Sequence, residues 1–504
     1  MRIAFVYPFF ESLGIEYLSA CLKTNGHSTK LFLDPMLFDG IVASNRPLDK
    51  LINFKKILIA EILEWKPDLI CFSVVSDCYV WACETANRLR QESSAKIVFG
   101  GPHPTALPER VIDNDFVDFV IVGEGEYALL DLATYLERKE DYFNIMNVWC
   151  KHNGTVVKNQ LRPLVTNLDT LAFPDKDLYS DYYKQFVKEI YLIMGSRGCP
   201  HACSYCYNDY MKRLYQGQNF LRRRSVDNII EELISAKVKY NYKRVDFRDD
   251  LFIFDKEWLR ELCTKFKKHI NVPFNINAHP DYIDASVIEI LEDAGCRGMV
   301  LGVQTISEEL RIKKLNRRCS NENIVKTINL ASKTKIVLFV DIIIGLPGQD
   351  KEELIKIAQF FNRHKVDFIK LFWLRYYPKT KMMDYLDAKT KEEIERGDCV
   401  AYFHRFGNSF SKERGKLANF ILLSQALPSQ VLDFFIDKKI YTYLLTTTFS
   451  TFYFIIRSFS KRVLGRKFAY RNFGIMAFIK FYSYFMSKWI RSTWRYRRVK
   501  LPIM

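Results

Sequence analysis

Short apolar runs alternate with amphipathic stretches over the first third of the chain. Arg2 to Tyr7 reads as an apolar strand. Leu13 to Asn25 places its apolar residues at helical spacing and stops at Gly26, and Ser28 to Asp34 reads as a second strand. Asp68 to Val74 reads as a buried strand followed by a helix from Cys78 to Glu92. Lys96 to Phe99 runs into Gly100-Gly101-Pro102, and Phe116 to Val122 runs into Gly123-Glu124-Gly125-Glu126. This alternation predicts an α/β fold over residues 1–145, a doubly wound, Rossmann-like parallel sheet. Ligands of such sheets lie beyond the carboxyl ends of the strands, where both glycine turns fall.

Residues 146–187 are mixed and polar, broken by Pro163 and Pro174, and read as a connector. A second alternating series spans 188–395, with strands near 190–195, 244–248, 273–278, 297–303, 336–344 and 367–374. Helices fall between them, one from Ser225 to Val238 with Ser225 as its N-cap. Six strand–helix units predict a partial TIM-type (β/α)6 barrel, whose chemistry comes from the loops after the strands. Residues 396–504 read as a basic, aromatic, helical region, with Pro428 its only proline before Pro502.

Length and composition add two constraints. The 504 residues suffice for about three domains. The net charge of +17 is concentrated at one end: residues 401–504 hold 19 Lys and Arg against Glu413, Asp433 and Asp437, a net +16, so residues 1–400 carry +1. A neutral body with a basic tail points to an acidic partner for the tail. Most of the twelve cysteines, Cys21, Cys71, Cys78, Cys83 and Cys150 among them, show no disulfide-like spacing, and Met1 leads directly into Ile3–Val6. This composition is expected of a reducing, cytoplasmic setting.

Three cysteines are not scattered. Cys199, Cys203 and Cys206 form C-x3-C-x2-C in Gly195-Ser-Arg-Gly-Cys-Pro-His-Ala-Cys-Ser-Tyr-Cys206, just after the first barrel strand. Three close thiolates on one loop can hold three irons of a cubane and leave the fourth open to chelate another molecule. The alternatives are inert thiols or a zinc site with His201 as fourth ligand; no second cysteine pair completes a zinc ribbon.

The loop, with Tyr205 before its last cysteine, resembles that of the radical S-adenosylmethionine (SAM) superfamily. The resemblance implies a [4Fe–4S] cluster on Cys199, Cys203 and Cys206, SAM chelated to the open iron, and an external electron donor that drives SAM cleavage to a 5′-deoxyadenosyl radical. It also implies roles at the other strand ends. Asp249 and Asp250 face the SAM amino group, Gln304 in Gly302-Val303-Gln304-Thr305 reaches the ribose or carboxylate, and Gly345 in Gly345-Leu346-Pro347-Gly348 lets backbone approach the adenine. Asn277, His279 and the tyrosines of Tyr376-Tyr377-Pro378 are weaker candidates.

The first domain resembles the cobalamin-binding domain that precedes the barrel in one class of that superfamily. The matching residues are Leu13-Gly14-Ile15-Glu16-Tyr17-Leu18, Asn25-Gly26-His27, Gly100-Gly101-Pro102-His103-Pro104 and Gly123-Glu124-Gly125-Glu126. The resemblance implies cobalamin, with Gly100, Gly101 and Gly123 letting backbone approach the corrin and Ser73 and Ser76 after the third strand. None of the eight histidines lies two residues after an Asp, so no D-x-H-x-x-G cobalt ligand is expected.

The implied activity is cobalamin-dependent methyl transfer to an unactivated carbon of a small-molecule or lipid-like substrate. The competing readings are radical cyclisation, rearrangement or oxidation without methyl transfer, and a non-catalytic metal- or nucleic-acid-binding protein. The tail keeps two readings. Ile440–Ile456 is uncharged but rich in threonine, and residues 473–490 mix aromatics with Lys480 and Lys488 ahead of the basic 491–500. Residues 438–504 fit either a helical cap on the barrel or an anionic membrane surface at the inner face of the membrane, with nucleic acid a lesser alternative.

Overall fold

The computed structural model describes residues 1–8, 11–36, 54–180, 189–397 and 409–444, with 487 and 491 besides. The first sheet contains β1 (Arg2–Pro8), β2 (Ser28–Asp34), β3 (Leu69–Ser73), β4 (Lys96–Gly100) and β5 (Phe119–Ile121), parallel in the order β2-β1-β3-β4-β5. Alternate residues of β1 feed two cores: Ile3 and Phe5 join Leu22 and Leu132 on one face, Ala4 and Val6 join Ile62 and Leu89 on the other. A central strand buried on both faces is what helices on both sides of a parallel sheet require. The order reverses between β1 and β3, which makes their carboxyl ends the switch point of the sheet.

Two features of this half escape the hydrophobic pattern. The helix Phe54–Trp65 packs beside β2. The expected connector begins instead with a hairpin, β6 (Val148–His152) and β7 (Thr155–Lys158), which adds two antiparallel strands to the sheet edge. Its turn is Asn153-Gly154, with φ of 48° and 77°, the dipeptide best suited to a two-residue hairpin loop. That pair was the available signal.

The second sheet contains β8 (Ile190–Ile193), β11 (Arg244–Phe247), β12 (Phe274–Ala278), β13 (Cys296–Gln304), β14 (Val337–Ile344) and β15 (Phe368–Trp373), all parallel and in chain order from β8 to β15. A short ribbon, β9 (Ser196–Arg197) against β10 (Arg222–Arg223), flanks its start. The strands fall where the pattern placed them, and Ser225 caps the helix Val226–Tyr240 by accepting from the Asn228 N–H. Outward residues such as Leu338, Val340 and Ile342 join the main core under the helices. The opposite rows mix polar and apolar residues: Asp246 on β11, Asn275 and Asn277 on β12 and Asp341 on β14 are half-buried, with Val337, Phe339 and Ile343 beside Asp341 on β14. Where a closed TIM barrel fills its interior with branched apolar side chains, this one adds hydrogen-bonding groups among them.

The six-stranded sheet remains open, with β8 and β15 as its edges. The first domain packs at the β8 end. Met194 lies against Tyr17, Leu168 and Leu171, and the Lys176 ammonium sits 5.0 Å from the Tyr191 ring centre. Lys176 itself is buried between Glu11 and Glu16 at 2.6 and 2.7 Å.

In the tail, the described helices Ser409–Ser424 and Ser429–Asp437 cap the barrel. Leu417, Phe420, Ile421 and Leu432 join the main core, and Asn362 donates to the carbonyls of Ser424 and Leu427 at 2.6 and 2.9 Å. From 445 on, the segments read as interfacial, including most of 440–456 and the basic 491–500, lie outside the described residues apart from 487 and 491. Among the described residues, no helix is long and apolar enough to cross a membrane.

Candidate active site

The cysteine loop is shaped before any ligand is considered. Gly198 has φ +87°, and a Cβ there would lie 2.4 Å from the Phe220 carbonyl oxygen, so only glycine fits the turn ahead of Cys199. Ser204 ties the loop to the segment after β13: its N–H donates to the Leu315 carbonyl at 2.9 Å and its hydroxyl to that of Lys314. Asn316 donates to the Ala202 carbonyl at 2.8 Å, and the Met382 N–H donates to the Ser204 carbonyl at 3.0 Å. The loop is therefore held by the segments that follow two other barrel strands.

Cys203 is buried, and Cys199 and Cys206 are half-buried. Burial pushes both of the latter thiols up, Cys206 to about 12, and the Asp250 carboxylate and neighbouring thiols push further. Thiols that hinder one another's ionisation suit a metal, which neutralises thiolate charge on binding. Zinc–sulfur bonds of about 2.3 Å put tetrahedral thiolates about 3.8 Å apart. Among the described residues, the only three ligand atoms within 4.8 Å of one another belong to His279, Asp281 and Cys319, and the loop thiols are more widely spaced. His201 stacks flat on His279, with ring centres 4.2 Å apart and 12° between planes. Burial and then Arg317, His201 and Arg311 push the His279 imidazole down to about 2, so it stands neutral.

The two aspartates after β11 occupy different surroundings. Asp249 is buried and accepts from the Gly195 N–H at 3.1 Å and the Ser196 hydroxyl at 2.5 Å; burial above all raises it to about 6. Asp250 is exposed and lies close enough to Cys199 and Cys206 to raise both. Gln304 ends β13 beyond a register shift, half-buried and with φ +69°, an unusual backbone for a residue with a side chain. Gly345 is half-buried at the end of β14 and donates to Gln349 Oε1 at 2.7 Å. Tyr205 packs beside Leu315 and Leu346, and Tyr377 reaches Asp77 of the first domain at 3.4 Å. Asn277 donates to the Asp249 carbonyl at 3.0 Å.

Opposite the loop stand the strand ends of the first sheet. Ser73 and Gly100 pair directly at the ends of β3 and β4. The Cβ position of Gly101 is 3.0 Å from the Val74 backbone, and that of Gly123, with φ +86°, is 1.8 Å from the Tyr215 hydroxyl. Tyr207 and Tyr210, on the helix that follows Cys206, donate to the carbonyls of Pro102 and Thr105 at 2.8 and 3.1 Å. His103 is buried, with Nδ1 3.0 Å from the Ser76 hydroxyl and its ring stacked on Tyr79; burial and then Arg110 push it down to about 3.

Four contributors, Arg197, Arg222, Tyr215 and Arg317, were not singled out from sequence. Glu124 accepts from Arg222 at 2.8 and 3.0 Å and from Arg197 at 3.1 Å, while Arg197 also reaches Glu126 at 2.5 Å. The Gly-Glu-Gly-Glu turn thus clamps the first domain to the ribbon that carries the cysteine loop. Tyr215 braces the same turn, its hydroxyl oxygen accepting from the Glu124 N–H at 3.2 Å. Arg317, buried after β13, donates to the Gly302 carbonyl at 2.6 Å and to Cys203 Sγ at 3.6 Å. Arg197 stood two residues before Cys199; no spacing marked Arg222, Tyr215 or Arg317.

A doubly wound sheet whose strand ends face a three-cysteine loop on an open parallel barrel defines a two-domain enzyme of corrin and iron–sulfur chemistry. The chain belongs to the radical SAM superfamily, in the class that carries a B12-binding domain ahead of the barrel: the superfamily model matches residues 193–361 and the B12-binding model residues 3–133. The cofactors of this domain pair are a [4Fe–4S] cluster, SAM and cobalamin. Similar proteins include an uncharacterised methyltransferase of Pyrococcus horikoshii, 24% identical over 77% of this chain and 83% of its own length. Another is the anaerobic magnesium-protoporphyrin IX monomethyl ester cyclase of Rubrivivax gelatinosus, 23% identical over 75% and 68%. Among solved structures, the radical SAM methyltransferase TsrM of Kitasatospora setae, with cobalamin and a [4Fe–4S] cluster bound, superposes at TM-score 0.60 over 76% of this chain and 73% of its own, at 16% identity. The cobalamin-dependent radical enzyme OxsB, with aqua-cobalamin and SAM bound, superposes at 0.61 over 98% and 80%, also at 16%. At that identity the likeness is one of fold.

Proposed function

We propose that the protein transfers a methyl group from SAM, by way of cobalamin, to an unactivated carbon of a small organic substrate. The observation that carries this reading is the pair of hydrogen bonds from Tyr207 and Tyr210 to Pro102 and Thr105, which fasten the cysteine loop to the strand ends of the B12-type sheet. When bound, cluster and SAM supply a hydrogen-abstracting radical, and cobalamin supplies a methyl carrier. Cys199, Cys203 and Cys206 hold the cluster. Asp250 takes the SAM amino group, while Asp249 fixes the Gly195–Ser196 turn beneath the loop. Gln304 and Gly345 line the nucleoside side. Ser73, Gly100, Gly101 and Gly123 border the corrin seat, with Ser73 and Gly100 at its floor.

Anaerobic purification followed by iron, sulfide and corrin analysis tests the cofactor set, and reduction with dithionite in the presence of SAM tests its cleavage to 5′-deoxyadenosine. Cys203→Ala should lose the intact cluster and the cleavage; retained cleavage would refute its assignment. The likeness to a cyclase supports a second reading, ring closure without methyl transfer. Product mass separates the two, because only methyl transfer adds a CH2 unit and leaves S-adenosylhomocysteine.

A further inference from the structure

We propose that Arg317 sets the reduction potential of the iron–sulfur cluster, acting as a positioning residue through Cys203. The inference rests on the assignment of that cluster to Cys199, Cys203 and Cys206.

Arg317 is buried, and its guanidinium is divided between two targets. One terminal nitrogen donates to the Gly302 carbonyl at 2.6 Å; the other points at Cys203 Sγ at 3.6 Å. The Gly302 bond fixes where the charge sits, because a Cβ on Gly302 would lie 3.1 Å from the same nitrogen. The remaining nitrogen, Nε, is buried with no hydrogen-bond partner among the described residues, and Asp341, the carboxylate that feels this charge, forms no ion pair with it. Among the described residues no salt bridge to Arg317 is formed, whereas Arg197, Arg222 and Arg224 each pair with a glutamate. An arginine buried without an acidic partner is costly unless something nearby becomes negative. The nearest such group is the Cys203 sulfur.

A cluster ligated by three thiolates gains a further negative charge when it takes one electron from a reductant. A fixed cation and an N–H···S bond at one of its sulfurs stabilise the reduced form over the oxidised one, and so raise the potential. Low local polarity strengthens that effect at this sulfur, since Cys203 and Arg317 are both buried.

The test is EPR-monitored redox titration with dithionite and mediator dyes on the full chain, reconstituted anaerobically without SAM. Four proteins are compared: parent, Arg317→Gln, Arg317→Lys and Arg318→Gln. Arg318 is the exposed neighbour, so its substitution removes the same charge without the sulfur contact. Arg317→Gln should lower the reduced-to-oxidised ratio at a fixed potential at least tenfold, a shift of about 59 mV for one electron. Arg317→Lys, which keeps the charge, should stay near the parent, and Arg318→Gln should leave the potential unmoved. Equal potentials in parent and Arg317→Gln, or an equal shift from Arg318→Gln, would overturn the proposal while leaving the cluster assignment intact. If Arg317→Gln does not fold, a Lys variant shifted as far as tenfold overturns it instead. Absence of any cluster from the parent protein overturns the assignment beneath it.

Discussion

Replacing Glu124 by alanine should loosen the joint between the two domains more than any other single change at their interface. Its carboxylate takes two bonds from Arg222, at 2.8 and 3.0 Å, one from Arg197 at 3.1 Å and one from the Val165 N–H at 3.1 Å. Arg222 and Arg197 are 3% and 13% exposed at the side chain and Glu124 16%, so water screens the pairs little. At an effective dielectric of 20 and about 3 Å, each pair is worth about 5 kcal/mol in Coulomb attraction, of which desolvation cancels several. Breaking such a network by deleting one partner costs about 3–5 kcal/mol, because it leaves the other charges buried and unmatched. Burial opposes the Glu124 charge, but the bond from Arg222 and the field of Arg197 outweigh it and hold the carboxyl below its ordinary value. A depressed carboxyl contributes its full stability above the unfolded value and loses it as pH falls through the folded one, so the penalty of Glu124→Ala should shrink in acid. Urea unfolding of Glu124→Ala, Arg222→Ala and the double variant measures the coupling directly. Additive losses, or a penalty that does not change with pH, would refute the account.

Two further outcomes follow from the same geometry. Asp250→Asn should weaken SAM binding about 10–100-fold, the loss of a hydrogen bond between charged groups, with cluster content unchanged in equilibrium dialysis; Asp249→Asn should not. Without SAM, Asp249 should instead register in stability: its folded carboxyl titrates near 6, above its ordinary value, so ionisation costs stability as pH rises from about 4 to 6, and Asp249→Asn should gain on the parent across that window. Gly123→Ala should cost about 1–2 kcal/mol for a left-handed backbone plus the collision with the Tyr215 hydroxyl, and adding Tyr215→Phe should recover the second part alone in thermal unfolding. No recovery would mean that Tyr215 yields freely.

The barrel was legible because each of its strands is short and closed by a turn, and because the outward rows, Leu338, Val340 and Ile342 for example, are uniformly apolar. The hairpin at 148–158 was missed because β6 is short and β7, at the sheet edge, is almost wholly exposed, so little burial shapes its sequence. The cysteine loop was legible because its ligands are close in sequence. Arg317 was not, because it reaches Cys203 across 114 positions, and only folding brings the segment after β13 against the loop. Glu124 was read as part of a corrin-binding turn. Its partners Arg197 and Arg222 lie 73 and 98 positions away, so no local pattern could reveal the clamp.

The open barrel has a consequence for cutting the chain. A sheet that does not close leaves two rows of backbone donors and acceptors free to pair with another molecule. At β8 that hazard is met by the first domain, through Met194 against Tyr17 and Tyr191 beneath Lys176. The corrin-type domain is therefore also an edge guard. A fragment starting at residue 188 would present β8 bare and self-associate through it, whatever cofactors it could still hold.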